Sequence, residues 1–387
     1  MKMLLQWVSC LWFALLMSSS HLEHANAGNW YRNRNALPHH VAIHVDQLGQ
    51  ANFSRIQAAI DFIPSNNKQW FCIHVKAGIY REKVKIPSDK PYLILEGEGE
   101  RTTFIVWGDH DSTLQSPTFM SSADNIVVRN ISFVITKMRE FALNSDNHNE
   151  MFLFLFCTMV EQNKYNFLDN NKPLTPAVAA MISGDKSAFY QCDFAGVQDT
   201  LWDDQGRHYF KDCTILGAVD FIFGSGQSIY EVFFFFDNHH PFFKFIYKYL
   251  IVSNVYLQGC SIKVLGGGYV TAQGRSNPND ANGFVFKMCN IFGTGPTYLG
   301  RPWRAYSRVI FYKCYFANVI DPRGWNPWNF LGQENRITYV EYENYGPGAA
   351  STQRVNWVKK LSPQAIDQFT SLSFINSGNW IQRQPSC

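Results

Sequence analysis

The chain has 387 residues, a formal net charge of +3 and a pI near 8.3. Its Lys and Arg residues are scattered rather than gathered in a basic stripe with aromatic residues, which argues against a nucleic-acid-binding protein. None of the nine cysteines forms a C-x-x-C pair, so the sequence predicts no metal site. No linker rich in Pro, Ser and Gly divides the chain, which favours a single domain.

The first 27 residues have the pattern of a secretory signal peptide. Lys2 precedes an apolar run at residues 8–17, and an Ala-Asn-Ala cleavage pattern follows at 25–27. The apolar run is shorter than the about 20 residues that a membrane-spanning helix needs. We therefore predict a secreted protein with no membrane anchor after signal removal, whose mature domain covers residues 28–387.

The segment at residues 53–62 is the first with helical periodicity. With the next residue, Ile63, its sequence is FSRIQAAIDFI. Apolar residues lie on one face, and Ser54 precedes them in the position of a helix N-cap. The sequence predicts a short amphipathic helix here. A second helical pattern lies at residues 363–372.

Five cysteines lie in a recurring pattern that ends in an apolar residue two positions after each Cys. The copies are FYQCDF, FKDCTI, LQGCSI, FKMCNI and FYKCYF, centred on Cys192, Cys213, Cys260, Cys289 and Cys314. A period in the low twenties, carried by short β-branched and aromatic segments, is typical of a parallel β-helix. We predict an all-β, single-stranded solenoid, with the first helix as its N-terminal cap, rather than a doubly wound α/β fold.

The repeated cysteines have two interpretations. The first is a ladder of buried free thiols inside the solenoid, which is the more common role of a buried Cys. The second is disulfide formation, for which Cys192 and Cys213, one rung apart, are the best candidates.

Two stretches depart from the repeat. The separation between Cys213 and Cys260 is 47 residues, about twice the period, and residues 232–258 are rich in aromatic residues without turn chemistry. Removing these 27 residues restores a spacing of 20. We predict an insertion at 232–258 and a second irregular stretch near 141–172.

Two aspartates share one phase of the repeat. Asp199 follows Cys192 by seven residues, and Asp220 follows Cys213 by seven. The two carboxylates should therefore be neighbours on successive rungs. Because adjacent carboxylates repel each other's charge, one retains its proton while the other ionises. The pair can supply an acid and a nucleophile, whereas a lone Asp in a β-helix is more often a turn residue.

Arg301 and Trp303, in YLGRPW, are candidates for the same site. A guanidinium can hold an ionised carboxylate through two hydrogen bonds, and an indole ring can stack on a sugar. Spacing alone supports neither strongly, since most Arg residues are solvated and most Trp residues lie in cores. The sequence has no G-x-S-x-G elbow, no H-E-x-x-H motif and no phosphate-binding loop.

Four motifs resemble those of the plant pectin methylesterases: GIYREKV at 78–84, GVQDTLW at 196–202, VDFIFG at 219–224 and YLGRPW at 298–303. The similarity covers most of residues 40–350. It implies a right-handed parallel β-helix, in a form without the inhibitor-like pro-region of some relatives. It also implies hydrolysis of galacturonate methyl esters in pectin to methanol and free carboxylates, with no cofactor and no metal.

The resemblance implies a role for each matching residue. Asp220 matches the nucleophile, Asp199 the general acid and base, and Gln198 a glutamine that stabilises the oxyanion. Arg301 matches the residue that holds the nucleophile, and Trp303 one that lines the sugar groove. Three further candidates for this groove are Trp202, Phe221 and Phe223.

One position departs from the family pattern. Many relatives carry a second oxyanion glutamine in a Gln-Ala-Val-Ala sequence, where this chain has Pro176. Loss of one such donor typically costs about 100- to 1,000-fold in turnover. An impaired wall protein that still binds pectin is therefore the alternative to an active enzyme, and a lyase or polygalacturonase on the same solenoid is a third.

The resemblance also implies the partners and location of the protein. Methyl-esterified homogalacturonan is the expected substrate, and a proteinaceous inhibitor is a further expected partner of what we predict to be a monomer. The expected location is the extracellular cell wall, which the N-glycosylation sequons at Asn52 and Asn130 fit.

Overall fold

The computed structural model describes residues 40–110, 112–135, 175–231 and 260–387. Within these ranges it contains two α-helices, α1 (Ile56–Phe62) and α2 (Pro363–Thr370), and three 3-10 helices at Trp328–Phe330, Glu334–Arg336 and Leu372–Phe374. None of these helices is long and apolar enough to cross a bilayer. The strands are β1 (Val41–Val45), β2 (Phe71–Val75), β3 (Gly78–Tyr80), β4 (Val84–Ile86), β5 (Leu93–Gly97), β6 (Thr103–Trp107), β7 (Phe119–Ser121), β8 (Ile126–Arg129), β9 (Ser132–Ile135), β10 (Ala180–Ile182), β11 (Ser187–Tyr190), β12 (Asp193–Ala195), β13 (Leu201–Asp203), β14 (Arg207–Lys211), β15 (Thr214–Gly224), β16 (Gln227–Glu231), β17 (Ser261–Gln273), β18 (Gly283–Lys287), β19 (Asn290–Gly293), β20 (Thr297–Pro302), β21 (Arg308–Tyr312), β22 (Tyr315–Phe316) and β23 (Thr338–Tyr342).

The strands stack into three parallel faces. Face A has the order β1-β2-β5-β8-β11-β14-β16-β18-β21-β23. Face B runs β3-β6-β9-β12 and face C runs β4-β7-β10-β13, and both continue through the long strands β15 and β17, which bridge them, to β22 and β20 respectively. The prediction of a parallel β-helix is confirmed.

A two-residue corner joins face A to face B in most rungs. Its first residue adopts a left-handed conformation, which bends the chain sharply. The residues and φ values are Asn130 58°, Gln191 51°, Asp212 55°, Met288 53° and Lys313 52°. The second residue points inward and is fully buried; these residues are Ile131, Cys192, Cys213, Cys289 and Cys314. The recurring Cys is therefore the inner residue of this corner.

The repeated cysteines form a ladder of buried free thiols, and the disulfide proposed between Cys192 and Cys213 is wrong. Side chains at one phase of successive rungs point in parallel directions, whereas a disulfide needs two side chains that point towards each other. Each thiol contacts a backbone carbonyl instead. The Cys192 Sγ lies 3.3 Å from the Tyr190 oxygen, and the Cys213 Sγ lies 3.4 Å from that of Lys211.

The predicted insertion at 232–258 and the irregular stretch near 141–172 lie outside the described residues. The strands on either side still define where the first one falls. Residues 232–260 separate β16 from β17. In the rungs of β8, β11, β14, β18 and β21 the equivalent connection is a corner of two residues. Thr214 in β15 pairs in register with Ser261 in β17, so the ladder resumes at Cys260.

Stacked aromatic rings fill the interior beneath face A. Phe210 and Tyr230, in-register neighbours on β14 and β16, stack at 4.5 Å between ring centroids. Tyr230 then stacks on Phe286 at 4.6 Å, and Phe286 stacks on Phe311 at 4.6 Å. Offset-stacked pairs add about 0.5–1.5 kcal/mol each to the free energy of area burial. These stacked pairs therefore stabilise the rungs that carry the candidate site.

Helix α1 packs against β1 and β4, and its buried side chains belong to the interior core. The sequence predicts Ser54 as the N-cap of this helix, and that prediction is wrong. The N-cap position is Arg55, which makes no side-chain capping bond. The buried Glu82 carboxylate accepts instead from the backbone N–H groups of Ile56, at 2.8 Å, and Gln57, at 3.1 Å. A carboxylate at this end of a helix also complements the helix dipole.

The buried Lys90 ammonium holds the other end of α1. Its Nζ donates to the carbonyls of Ile60, Asp61 and Ile63 at 3.0, 2.8 and 2.7 Å. The last carbonyls of a helix have no acceptor role within the helix, and of these three only that of Ile60 also accepts from a helix-end N–H, that of Ile63. Lys90 therefore fastens the cap to the solenoid.

Substitution Lys90→Met should lower the free energy of unfolding by about 2–3 kcal/mol, because it leaves buried carbonyls without a donor. Urea unfolding followed by tryptophan fluorescence measures this change. Lys85→Met, at an exposed position on β4 five residues earlier, is the matched control and should stay within about 0.5 kcal/mol of the parent protein. Equal effects of the two substitutions would show that the Lys90 contacts add no stability.

The C-terminal segment covers the outer side of face A. Helix α2 begins at Pro363, with Ser362 as its N-cap, and its residue Ile366 packs with outward residues of β11, β14 and β16. The segment ends in a disulfide between Cys72 on β2 and Cys387. We call residues 380–387 the C-terminal strap.

Candidate active site

Asp199 and Asp220 occupy equivalent positions on successive rungs. The strand pairs Phe194 with Ile215 and Leu201 with Ile222 have the same offset of 21 residues that separates the two aspartates. Between them, the Asp199 N–H donates to the Val219 carbonyl at 3.1 Å. The repeat thus brings the two carboxylates to neighbouring rungs, where face B turns into face C.

Both aspartates have left-handed backbone conformations, with φ of 63° at Asp199 and 49° at Asp220. Such conformations cost on the order of 1–3 kcal/mol in a residue other than Gly, and they cluster at functional sites. Here the bend turns each carboxylate outward, although the residues that follow them, Thr200 and Phe221, are fully buried.

Arg301, on β20, binds the Asp220 carboxylate through two hydrogen bonds. Its Nε donates to Oδ1 at 2.9 Å, and its Nη2 donates to Oδ2. The guanidinium lies between two aromatic rings, 4.0 Å from the centroid of Tyr269 and 3.8 Å from that of Trp328. These cation–π contacts and the fork-to-fork geometry fix the orientation of the carboxylate.

The environments of the two carboxylates differ. Burial raises the pKa of Asp199 to about 7; the negative charge of Asp220 adds to this rise, and Thr113 and Arg301 oppose it. Burial also raises the pKa of Asp220, but the hydrogen bonds and charge of Arg301 oppose that rise directly. The pKa of Asp199 thus lies near neutrality, whereas Arg301 stabilises the ionised form of Asp220 directly.

Thr113 is a site residue that sequence reasoning missed. Its Oγ1 donates to the Asp199 Oδ2 at 3.3 Å. Lys83 fastens the loop of Thr113 to the rung of β4, since its Nζ donates to the Asp109 carboxylate and to the Gln115 carbonyl, both at 2.5 Å. Thr113 lies far from the Cys repeat in sequence, so no spacing pointed to it.

Substitution Thr113→Val should move the alkaline limb of the pH–activity profile to higher pH. The hydroxyl donates to the ionised form of Asp199 and so lowers its pKa; without it the pKa rises further above 7. The profile of kcat/KM against pH measures the shift, and Thr113→Ser, which keeps the donor, should leave the limb in place. An unchanged limb in Thr113→Val would contradict the proposed contact.

Gln198 and Pro176 lie on neighbouring rungs. Gln198 is half-buried and forms a bridge with Val219, and its carbonyl accepts from the Ala177 N–H at 3.2 Å. Pro176 immediately precedes Ala177. The rung beside Gln198 thus presents a proline, which has no side-chain donor, at the position where the family pattern has glutamine.

Three of the predicted groove residues form an outward-facing cluster. Trp202 on β13 stacks on Phe223 on β15 at 5.3 Å, and Trp303 approaches Phe223 edge-on at 6.1 Å. Phe221 is different: it is fully buried in the interior core. Its prediction as a groove residue is corrected: Phe221 follows the left-handed bend at Asp220, where the register of β15 shifts, and it turns into the interior together with Ile222.

Tyr269 and Trp328 are two more residues that the sequence analysis did not single out. Tyr269 is the in-register neighbour of Val219, so strand phase could have identified it. Trp328 belongs to a 3-10 helix outside the repeat and is 38% exposed, so no periodic signal pointed to it. Together with Arg301 they form one wall beside Asp220.

Comparison with known proteins identifies the family to which the sequence is similar. The pectinesterase family profile matches residues 42–160, 166–237 and 250–379. Probable pectinesterase 29 of Arabidopsis thaliana is 49% identical over 354 residues, which cover 89% of each chain. Probable pectinesterase 55 of the same plant is 47% identical and covers 90% of this chain and 94% of its own.

A solved structure agrees in fold with the described residues. The pectin methylesterase from carrot superposes with a TM-score of 0.69 at 28% identity, and the match covers 92% of this chain and 99% of the carrot chain. The family profile and the two Arabidopsis relatives each span most of the sequence. The chain therefore belongs to the pectinesterase family.

Proposed function

We propose that this chain hydrolyses the methyl esters of galacturonate in pectin, releases methanol and leaves free carboxylates. The observation that carries this proposal is the pair of neighbouring carboxylates in different electrostatic environments. Asp199 is half-buried with a pKa raised to about 7, and Asp220 is held by Arg301. This arrangement supplies an acid and a nucleophile without a metal or cofactor.

In the first step, the Asp220 carboxylate attacks the carbonyl carbon of the ester. The amide of Gln198 donates to the oxyanion that develops on the carbonyl oxygen. Asp199 gives its proton to the departing methoxide oxygen, so methanol leaves and the galacturonyl group remains on Asp220 as an anhydride.

In the second step, water hydrolyses this intermediate. Asp199, now ionised, takes a proton from the water molecule while the water oxygen attacks the galacturonyl carbon. The bond to Asp220 breaks, and Asp220 leaves as a carboxylate that Arg301 again stabilises. Asp199 is protonated once more, so both residues return to their starting states.

The polymer is proposed to lie along the aromatic surface next to these residues. Trp202, Phe223 and Trp303 offer flat apolar faces of the kind on which sugar rings stack. We further propose that the protein acts outside the cell as a monomer in the cell wall, and that a proteinaceous inhibitor can bind it. The signal peptide predicted at residues 1–27 lies outside the described residues.

Methanol release from highly methylated pectin by the purified protein tests this function. Release well above that of Asp220→Asn is the expected result. No release above that variant, together with retained pectin binding, would favour the impaired wall protein that Pro176 suggests. Loss of pectin viscosity without methanol would instead indicate a chain-cleaving enzyme.

Substitution Pro176→Gln should raise turnover at least about tenfold, because it returns an amide donor to the rung beside Gln198. Initial rates of methanol release at saturating pectin measure the gain. Pro176→Leu, which adds a side chain without a donor, is the matched control. If both substitutions had the same effect, the missing glutamine would not limit the rate.

A further inference from the structure

We propose that the reduced protein binds one Zn²⁺ at a site on the outer side of face A, remote from the esterase chemistry. The ligands are four residues of strands β2 and β5 and of the C-terminal strap: Cys72, His74, Glu96 and Cys387. We call this set the strap site.

The strand geometry brings three of these ligands together. Cys72 and His74 are two residues apart on β2, so both side chains point to the outer side of face A. Glu96 on β5 is the in-register neighbour of His74. The donor atoms of all four residues lie within 4.8 Å of one another.

The distances suit a tetrahedral zinc site. Bonds of about 2.3 Å to sulfur and about 2.0 Å to nitrogen separate neighbouring ligands by roughly 3.5–3.8 Å. The His74 Nε2 is 3.4 Å from the Cys72 Sγ, and the His74 Nδ1 is 3.6 Å from the Glu96 Oε2. Only one ring nitrogen of His74 can bind the ion, and one donor atom from each of the four residues lies within 4.8 Å of the other three.

In the oxidised protein Cys72 and Cys387 form a disulfide, whose sulfurs are not thiolate ligands. A dithiol reductant transfers two electrons and two protons to this bond and itself becomes a disulfide. The two sulfurs then separate as thiols, and Zn²⁺ displaces their two protons to bind both thiolates. Disulfide and metal are therefore alternative ways to fasten the strap.

Contacts other than the disulfide keep Cys387 near the site after reduction. The Tyr190 hydroxyl donates to the Gln384 Oε1 at 2.7 Å, and the Arg129 Nη2 donates to the Pro385 carbonyl at 3.1 Å. Trp380 is buried against the outer surface of face A. The strap thus stays docked, and the reduced thiols remain within reach of His74.

The test is a titration of the full chain with Zn²⁺, before and after reduction by a dithiol that is then removed by desalting. We expect one tightly bound Zn²⁺ in the reduced protein and none in the oxidised protein. Co²⁺ in place of Zn²⁺ should give the intense visible bands of a tetrahedral ion and a near-ultraviolet thiolate charge-transfer band. Both signals should disappear in the double variant Cys72→Ser/Cys387→Ser, which keeps the buried cysteine ladder.

Two single variants separate the strap site from general binding by surface histidines. His74→Gln should weaken Zn²⁺ binding by roughly 10- to 100-fold or more. His44→Gln removes the imidazole that stacks on His74 at 4.9 Å but removes no ligand, and should bind Zn²⁺ like the parent. Equal Zn²⁺ binding by the reduced parent and the double Ser variant, or equal binding by oxidised and reduced parent, would overturn the proposal.

Discussion

Substitution Asp220→Asn should reduce methanol release by about 10⁴-fold or more, because the neutral amide is a poor nucleophile and cannot form the covalent intermediate. The side chains have nearly the same volume, and Asn tolerates the left-handed conformation that Asp220 adopts, with φ of 49°. The loss should therefore appear in kcat with the fold intact. Steady-state kinetics on methylated pectin, together with circular dichroism, measure both quantities.

The matched control for this result is Asp212→Asn. Asp212 lies on the same rung and has a similar left-handed conformation, with φ of 55°, but it sits at the corner between faces A and B. This substitution should leave kcat within a factor of about two. An Asp220→Asn variant that kept most of its activity would remove Asp220 from the role of nucleophile, and the proposed mechanism with it.

The Cys repeat was sufficient to predict the fold, because each repeated Cys is the inner residue of one corner. Interior positions accept few residue types, so their period survives in the sequence. The residue before each Cys carries the left-handed bend, yet it is Gln191, Asp212, Met288 or Lys313 in different rungs. The bend depends on backbone conformation rather than side-chain type, so the sequence offered no signal for it.

The site was predictable where it follows the repeat and not elsewhere. Asp199 and Asp220 share a phase, and their juxtaposition follows from counting residues. Thr113 and Trp328 come from loops whose paths depend on tertiary contacts, such as the ion pair of Lys83 with Asp109 at 2.5 Å. Phe221 is close in sequence to Asp220, but the left-handed bend at Asp220 and the register shift in β15 turn it inward, and no sequence pattern marks either feature.

The disulfide between Cys72 and Cys387 could not be predicted from the sequence for a similar reason. Cys72 and Cys387 are separated by 315 residues, and neither belongs to the repeat. Their pairing depends on the path of the strap across face A, which apolar contacts of Trp380 and Ile366 determine. No local pattern encodes that path, so the repeated cysteines drew attention to the wrong pair.

Substitution Asp199→Asn should lower kcat by roughly 10³-fold, because an amide cannot protonate the departing methanol or deprotonate the attacking water. In the parent protein, activity should fall as pH rises above about 7, where Asp199 loses its proton. The residual activity of Asp199→Asn should lack this alkaline limb. A limb that persisted in the variant would assign the titration to another group.

The same substitution should stabilise the fold at alkaline pH. The pKa of Asp199 is about 7 in the folded protein and about 3.9 in an unfolded chain, so the folded state binds more protons between these values. The parent therefore loses stability as pH rises from about 4 to 7, and the cost stays constant above that range. Asn does not titrate, so Asp199→Asn should match the parent near pH 4 and exceed its free energy of unfolding by on the order of 2 kcal/mol at pH 8. Urea unfolding at the two pH values measures the difference. A variant less stable than the parent at pH 8 would mean that the ionised Asp199 carboxylate does not destabilise the folded protein, because it is already well solvated.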